Sequence, residues 1–218
     1  NAIVSNLTTN DATCNGYNNG SASVLPAGGS GPLNILWWDG TTGSAVTGLI
    51  PTVGTYWVEI TDVNTGCDTL EFFTISEPTP ITYVSTTDST SCNGLADGTV
   101  TVTANGGTIP YTYTLLDASG AIVGLSSTGN FTGLSAGIYT CNINDGFCPL
   151  VTTTNDTVFE PNPIVDSAVI TPISCFGSSD GSITVAPTGE NDNFTYFWST
   201  SGSTTTSVSG LSAIPYTL

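Results

Sequence analysis

Short runs of alternating apolar and polar residues, broken every few positions by Gly, Pro or Asp-Gly, dominate this chain. Leu33, Ile35 and Trp37 recur at every second position, the period of a strand with one buried face. The strongest run is Tyr56-Trp57-Val58-Glu59-Ile60-Thr61-Asp62, which places Tyr56, Val58 and Ile60 on its inward side. Gly20 to Leu25 opens at an Asn-Gly turn, and Leu70 to Ile75 closes the pattern; both read as strands. Gly28-Gly29-Ser30-Gly31-Pro32 and Asp39-Gly40 break the chain between them. Lys, Arg, Met and Gln, all strong helix formers, are absent, while β-branched and aromatic residues abound. The chain is predicted to be all-β.

The pattern then repeats. Cys14-Asn15-Gly16 with Asn19-Gly20-Ser21 returns as Cys92-Asn93-Gly94 with Asp97-Gly98-Thr99, and again as Cys175-Phe176-Gly177 with Asp180-Gly181-Ser182. Ile75-Ser76-Glu77-Pro78 returns as Val158-Phe159-Glu160-Pro161, and Leu49 to Tyr56 is matched by Leu134 to Tyr139 and Leu211 to Tyr216. Landmarks recurring in one order at a period of about 80 residues mark a tandem repeat. Short strands at close spacing within each copy predict immunoglobulin-like β-sandwiches. Each Glu-Pro is read as a linker, giving repeats over 1–80, 81–164 and 165–218. The third stops inside the strand equivalent to Tyr56–Asp62. Two continuations would account for that: a longer chain, or a neighbouring chain whose strand completes the sandwich.

Charge narrows the function. Seventeen Asp and Glu face no Lys, Arg or His, giving a net charge of −17. Phosphate recognition needs protein cations, so no nucleic acid partner is expected, and anionic membrane surfaces repel the chain. No apolar stretch is long enough to span a bilayer, so no membrane insertion is expected in this segment, and residues 1–30 lack the basic region of a secretory leader. Without His, Lys or Arg, a Ser-His-Asp triad, a Cys-His pair and a Schiff base are all unavailable. The remaining carboxylates recur from copy to copy, which suits structure better than catalysis. The chain is read as non-enzymatic.

Six cysteines in a chain without zinc-type spacing point to an oxidising compartment. Cys14 and Cys67 hold the positions that Cys92 and Cys148 hold in the second copy, so one disulfide per repeat is expected, Cys14–Cys67 and Cys92–Cys148. Each would close a loop of roughly 55 residues, for about 4 kcal/mol on the chain-entropy account. Cys141 aligns with Val58 and is expected to be a buried thiol.

The series from Cys92-Asn93-Gly94 through Asp97-Gly98-Thr99-Val100, Gly106-Gly107-Thr108-Ile109-Pro110-Tyr111, Leu134-Ser135-Ala136-Gly137-Ile138-Tyr139 and Cys148 to Glu160-Pro161 resembles the SprB-type repeat. That repeat occurs in tandem in very large cell-surface proteins of Bacteroidota, including gliding-motility adhesins exported by type IX secretion. Asn19 in the first copy and Phe176 in the third depart from the pattern. The resemblance implies a secreted stalk or adhesin on a bacterial cell surface, whose partners are further repeats of the same polypeptide. Surface glycans or neighbouring fibre subunits are the other partners such a segment would meet. Asp68-Thr69-Leu70, Asp156-Thr157-Val158 and Asp166-Ser167-Ala168 look like the short O-glycosylation motif of that phylum, with Thr69, Thr157 and Ser167 as acceptors.

Two further sets of residues are singled out. No cofactor is expected, but Ca²⁺ is the metal that an oxygen-only donor set would suit; Asp62, Glu77, Asp145 and Glu160 near the joints are its candidate ligands. Trp38 and Trp57 fall on the outward phase of neighbouring strands, so an exposed aromatic pair able to stack on sugar rings is expected there. A carbohydrate-binding module built on that pair is the alternative to a structural stalk.

Overall fold

A computed structural model describes residues 2–51, 54–189 and 193–217. Among them there is no α-helix, and regular structure is β throughout. The first copy forms two three-stranded antiparallel sheets. One joins β1 (Leu7–Asn10), β2 (Gly20–Val24) and β4 (Ala45–Leu49); the other joins β3 (Leu33–Trp37), β5 (Tyr56–Asp62) and β6 (Asp68–Phe73). Alternation does what the pattern requires. Ala22 and Val24 of one sheet meet Trp37, Tyr56, Val58, Ile60 and Phe73 of the other in a single buried cluster with Leu49 and Ile75. This is a two-layer sandwich.

The second copy repeats the plan with β7 (Thr82–Asp88), β8 (Gly98–Asn105) and β11 (Asn130–Leu134) in one sheet. A five-stranded sheet holds β9 (Thr112–Asp117), β10 (Ile122–Ser126), β12 (Gly137–Asn144), β13 (Val151–Thr152) and β14 (Asp156–Val158). In the third copy β15 (Ala168–Thr171), β16 (Gly181–Val185) and β17 (Ser207–Leu211) pair in order, with Trp198 buried near Val185 and Val208. Each sheet draws its strands from one copy. The chain as a whole packs into two compact units. One comprises Asn1–Thr86, Thr101–Phe131 and Ile138–Asp156; the other comprises Thr87–Val100, Thr132–Gly137 and Thr157–Leu218.

Recurrent local bonds explain the recurrent landmarks. Tyr56 Oη accepts from the Ile50 N–H and donates to the Ile50 carbonyl, both at 2.8 Å, tying the start of β5 to the end of β4. In the third copy Tyr216 Oη accepts from the Ser212 N–H at 3.1 Å. The indole of buried Trp37 donates to the Gly43 carbonyl (2.8 Å), and that of Trp198 donates to the Thr205 carbonyl (2.9 Å), so each burial leaves no polar atom unpaired. Glycine opens β2 because of close approach: a Cβ on Gly20 would sit 2.6 Å from the Ile75 side chain.

Candidate functional site

The chemistry of this chain concentrates where one copy meets the next. Its first component is the loop that carries the leading cysteine. The Thr13 N–H donates to Asn19 Oδ1 (3.0 Å), closing the loop around Cys14. The Gly16 N–H donates to Glu77 Oε2 (2.6 Å) and the Asn15 amide to the Pro78 carbonyl (3.2 Å), pinning the loop to the linker. In the second copy the Ser91 N–H donates to Asp97 Oδ1 (2.9 Å), the Gly94 N–H to Glu160 Oε2 (2.9 Å) and the Asn93 amide to the Pro161 carbonyl (3.1 Å). The Ser174 N–H likewise donates to Asp180 Oδ1 (3.0 Å). Asn19 therefore does the work of Asp97 and Asp180, since all three accept through Oδ1.

The second component is the turn after the long central strand, organised by a buried carboxylate. Asp62 Oδ2 accepts from the Ser30 N–H (2.5 Å) and hydroxyl (3.1 Å), while Oδ1 accepts from the N–H groups of Asn64 (2.8 Å) and Thr65 (3.3 Å). Asp145 repeats this: Oδ2 takes the Thr108 N–H (3.0 Å), and Oδ1 takes those of Phe147 (3.1 Å) and Cys148 (2.8 Å). Gly29 and Gly107 lie against these carboxylates at positive φ, and a Cβ on either would come within 2.9 Å of Oδ2. The Ser30 N–H, first among several donors, holds the Asp62 carboxyl down at about 2 against the opposing effect of burial. For Asp145, burial pushes upward but the Cys148, Phe147 and Thr108 N–H groups together prevail, and its pKa is lowered.

The disulfide joins these two components across copies. Cys14 is bonded to Cys148, and Cys67 and Cys92 are exposed free thiols. This corrects the expected pairs Cys14–Cys67 and Cys92–Cys148. Repeat equivalence identifies leading and trailing cysteines but is silent on whether a leading cysteine reaches the trailing one of its own copy or of the next. Here the Cys14 loop sits at the linker, beside the turn that holds Cys148, with Pro80, Ile81 and Gly107 lining the same small cavity. Cys141 is buried as expected, and burial, reinforced by the Asp156 charge, pushes its thiol up to about 11.

The remaining candidate residues fall as follows. Asp62, Glu77, Asp145 and Glu160 all accept backbone N–H bonds, and among the described residues no three acidic or cysteine side chains group as a metal site. Trp38 does not point outward: it is half-buried against the core cluster, its ring 4.5 Å from that of Tyr56 in an edge contact. β3 ends at Trp37, so Trp38 belongs to the turn and escapes the alternation that would have turned it to solvent. Trp57 is half-buried on β5, opposite Phe72 of β6. The exposed Phe72, Leu70 and Leu36 belong to the same outer face, and sequence alternation had left Phe72 unremarked. Ser167 is exposed, whereas Thr69 and Thr157 are half-buried within β6 and β14.

A tandem all-β repeat protein with covalently joined copies is the class these features define. The SprB repeat family matches at residues 6–42, 84–120 and 167–204, together more than half of the chain. The chain belongs to the SprB repeat family. Among solved structures it is similar to the three N-terminal domains of the bacteriophage RB49 Highly Immunogenic Outer Capsid protein (Hoc). The TM-score is 0.51 at 12% identity, over 86% of this chain and 69% of that one, a likeness of fold. No curated protein matches the chain.

Proposed function

We propose that this chain is a non-catalytic spacer and display segment of a large bacterial surface adhesin or filament, built from immunoglobulin-like sandwiches in series. The observation that carries the reading is the threefold recurrence of one family unit, with successive copies bridged by Cys14–Cys148. The tyrosine bonded back to the preceding corner, as Tyr56 is to Ile50, and the buried strand Trp37 are features of immunoglobulin-like sandwiches and support that finer fold. Secreted, cell-surface placement, with type IX export and a part in gliding motility, follows the family and suits a disulfide-bonded chain. The test is surface labelling: antibody against the chain should stain intact cells of the source bacterium, and proteinase K should remove the stain. Antigen confined to the cell interior would refute the proposal.

One observation favours an adhesive role for the first copy in particular. Its outer sheet face sets Trp57 beside Phe72, with Leu36 and Leu70 flanking Glu59. Such a face suits a sugar ring or an apolar protein surface. Binding on a glycan array that is lost in Trp57→Ala would support the sugar; unchanged binding would remove Trp57 from the reading.

A further inference from the structure

Cys92 and Cys67 are free, yet each sits in the setting of a bonded cysteine. We propose that they are the two unmated halves of the Cys14–Cys148 staple, each shaped to close on a further copy of this repeat. Cys92 takes the trailing, Cys148-type cysteine of a following copy, and Cys67 takes the leading, Cys14-type cysteine of a preceding one. The unit of covalent architecture is therefore the joint and not the sandwich.

The first support is the match between bonded and free loops. Every hydrogen bond described above that shapes the Cys14 loop has its counterpart at Cys92, including those from the glycine N–H to the linker glutamate and from the asparagine amide to the linker proline. The loop turns also match, with the Tyr17 N–H donating to the Cys14 carbonyl (3.1 Å) and the Leu95 N–H to the Cys92 carbonyl (3.2 Å). On the trailing side, the turn before Cys67 is longer than that before Cys148, but Asp62 organises it as Asp145 does, and the Asp62 N–H donates to the Cys67 carbonyl (2.8 Å). The second support is independent. The cavity at the bonded joint, lined by Cys14, Pro80, Ile81, Gly107 and Cys148, is about 180 Å³. A cavity of about 440 Å³ opens beside Cys92, Asn93, Pro161, Pro163 and Ile164, the leading half without its trailing partner. Another of about 500 Å³ opens beside Ala2, Ile3, Gly29, Asp62 and Cys67, the trailing half without its leading partner. Their linings match the two sides of the bonded joint: the leading loop with its linker proline and isoleucine in the one, the trailing turn with its glycine and aspartate in the other.

Closure proceeds by exchange with a small-molecule disulfide such as oxidised glutathione. One protein thiolate attacks it, forming a mixed disulfide and releasing one glutathione thiolate. The second protein thiolate then displaces the other. One protein S–S bond forms, the donor S–S bond breaks, and two electrons pass from the protein thiols to the donor. The two protons go to solvent or to the released thiolates.

The test adds a trailing cysteine to the third copy: the full chain is extended after Leu218 by a duplicate of residues Asn142 to Pro161 and oxidised in a glutathione buffer. Peptide mapping should then find Cys92 joined to the added cysteine, in molecules that also carry Cys14–Cys148 as proof of folding. At an effective concentration of about 1 mM, that pairing is favoured roughly 100-fold over bonds between chains at about 10 µM. Cys92 still alkylatable beside an intact Cys14–Cys148, or the added cysteine bonded to Cys175 of its own copy, overturns the proposal. If the extension prevents Cys14–Cys148 from forming, the unextended chain decides when oxidised at high concentration. Random pairing of the three exposed thiols would already give bonds from Cys67 to Cys92 or Cys175 about four times as often as Cys67–Cys67 bonds, so the ratio should lie well above that, and a ratio at or below it overturns the proposal.

Discussion

At the scale of single residues, the carboxylates and thiols of this chain are sorted by what surrounds them. Cys141 replaces a core valine, and its thiol is pushed up to about 11, so almost no thiolate exists at neutral pH. Iodoacetamide at pH 8 should therefore modify Cys67, Cys92 and Cys175 in the native chain and reach Cys141 only in denaturant; mass spectrometry of the alkylated peptides reads this directly. Asp62 behaves oppositely. Its carboxyl drops from 3.8 to about 2 because backbone N–H groups hold the charged form, so the folded state binds its proton later than the unfolded state does. Its contribution to stability is complete above pH 3.8 and is lost as the pH falls through 2. Urea midpoints of the wild type and Asp62→Asn should differ at pH 5 and converge near pH 2. A gap that stays constant over that range would show that the charge is not what the turn uses.

At the scale of strands and turns, much was legible in advance because period two leaves little freedom. β5 occupies the predicted Tyr56–Asp62, and its inward residues Tyr56, Val58 and Ile60 are all buried. β6 begins at Asp68 and ends at Phe73, shifted from the predicted Leu70 to Ile75, because Asp68 pairs with Thr61 as the hairpin closes. Trp38 departs from the expected outward orientation for a related reason: alternation describes a side chain only while the strand continues, and here it ends one residue earlier. The cysteine partners were not legible at all, since pairing within a copy and pairing to the next produce the same spacing along the chain. The corner at Tyr56 offers a test at this scale. Tyr56→Phe removes a hydroxyl that serves both the N–H and the carbonyl of Ile50 while leaving the ring packed on Phe73 and Trp38. A loss of about 1–3 kcal/mol is expected by chemical denaturation, and a change well under that range would mean that solvent replaces the hydroxyl.

For the whole molecule, the net charge of −17 with no basic side chain means that ion pairs between side chains cannot hold one copy to the next. The covalent bond takes that part. Cys14 and Cys148 are 134 residues apart, and on the chain-entropy account a loop of that length restricts the unfolded chain by about 5 kcal/mol. Its larger consequence is cooperative. With the bond present, the first copy cannot unfold without dragging a tethered end of the second, so the two should lose structure together. Cys14→Ser removes the tether at the cost of one sulfur: Cys14 is buried, but it lies outside the first copy's core cluster of Trp37, Val58 and Ile60, which keeps all its side chains. The expected result in urea is a lower first midpoint and a broadened or split transition, reproduced by the wild type in the presence of a reducing agent. Were the staple confined within each copy, reduction would lower both sandwiches alike and Cys14→Ser would weaken only the first; a single sharp transition in Cys14→Ser, superimposable on that of the oxidised wild type, would show that the joint transmits nothing.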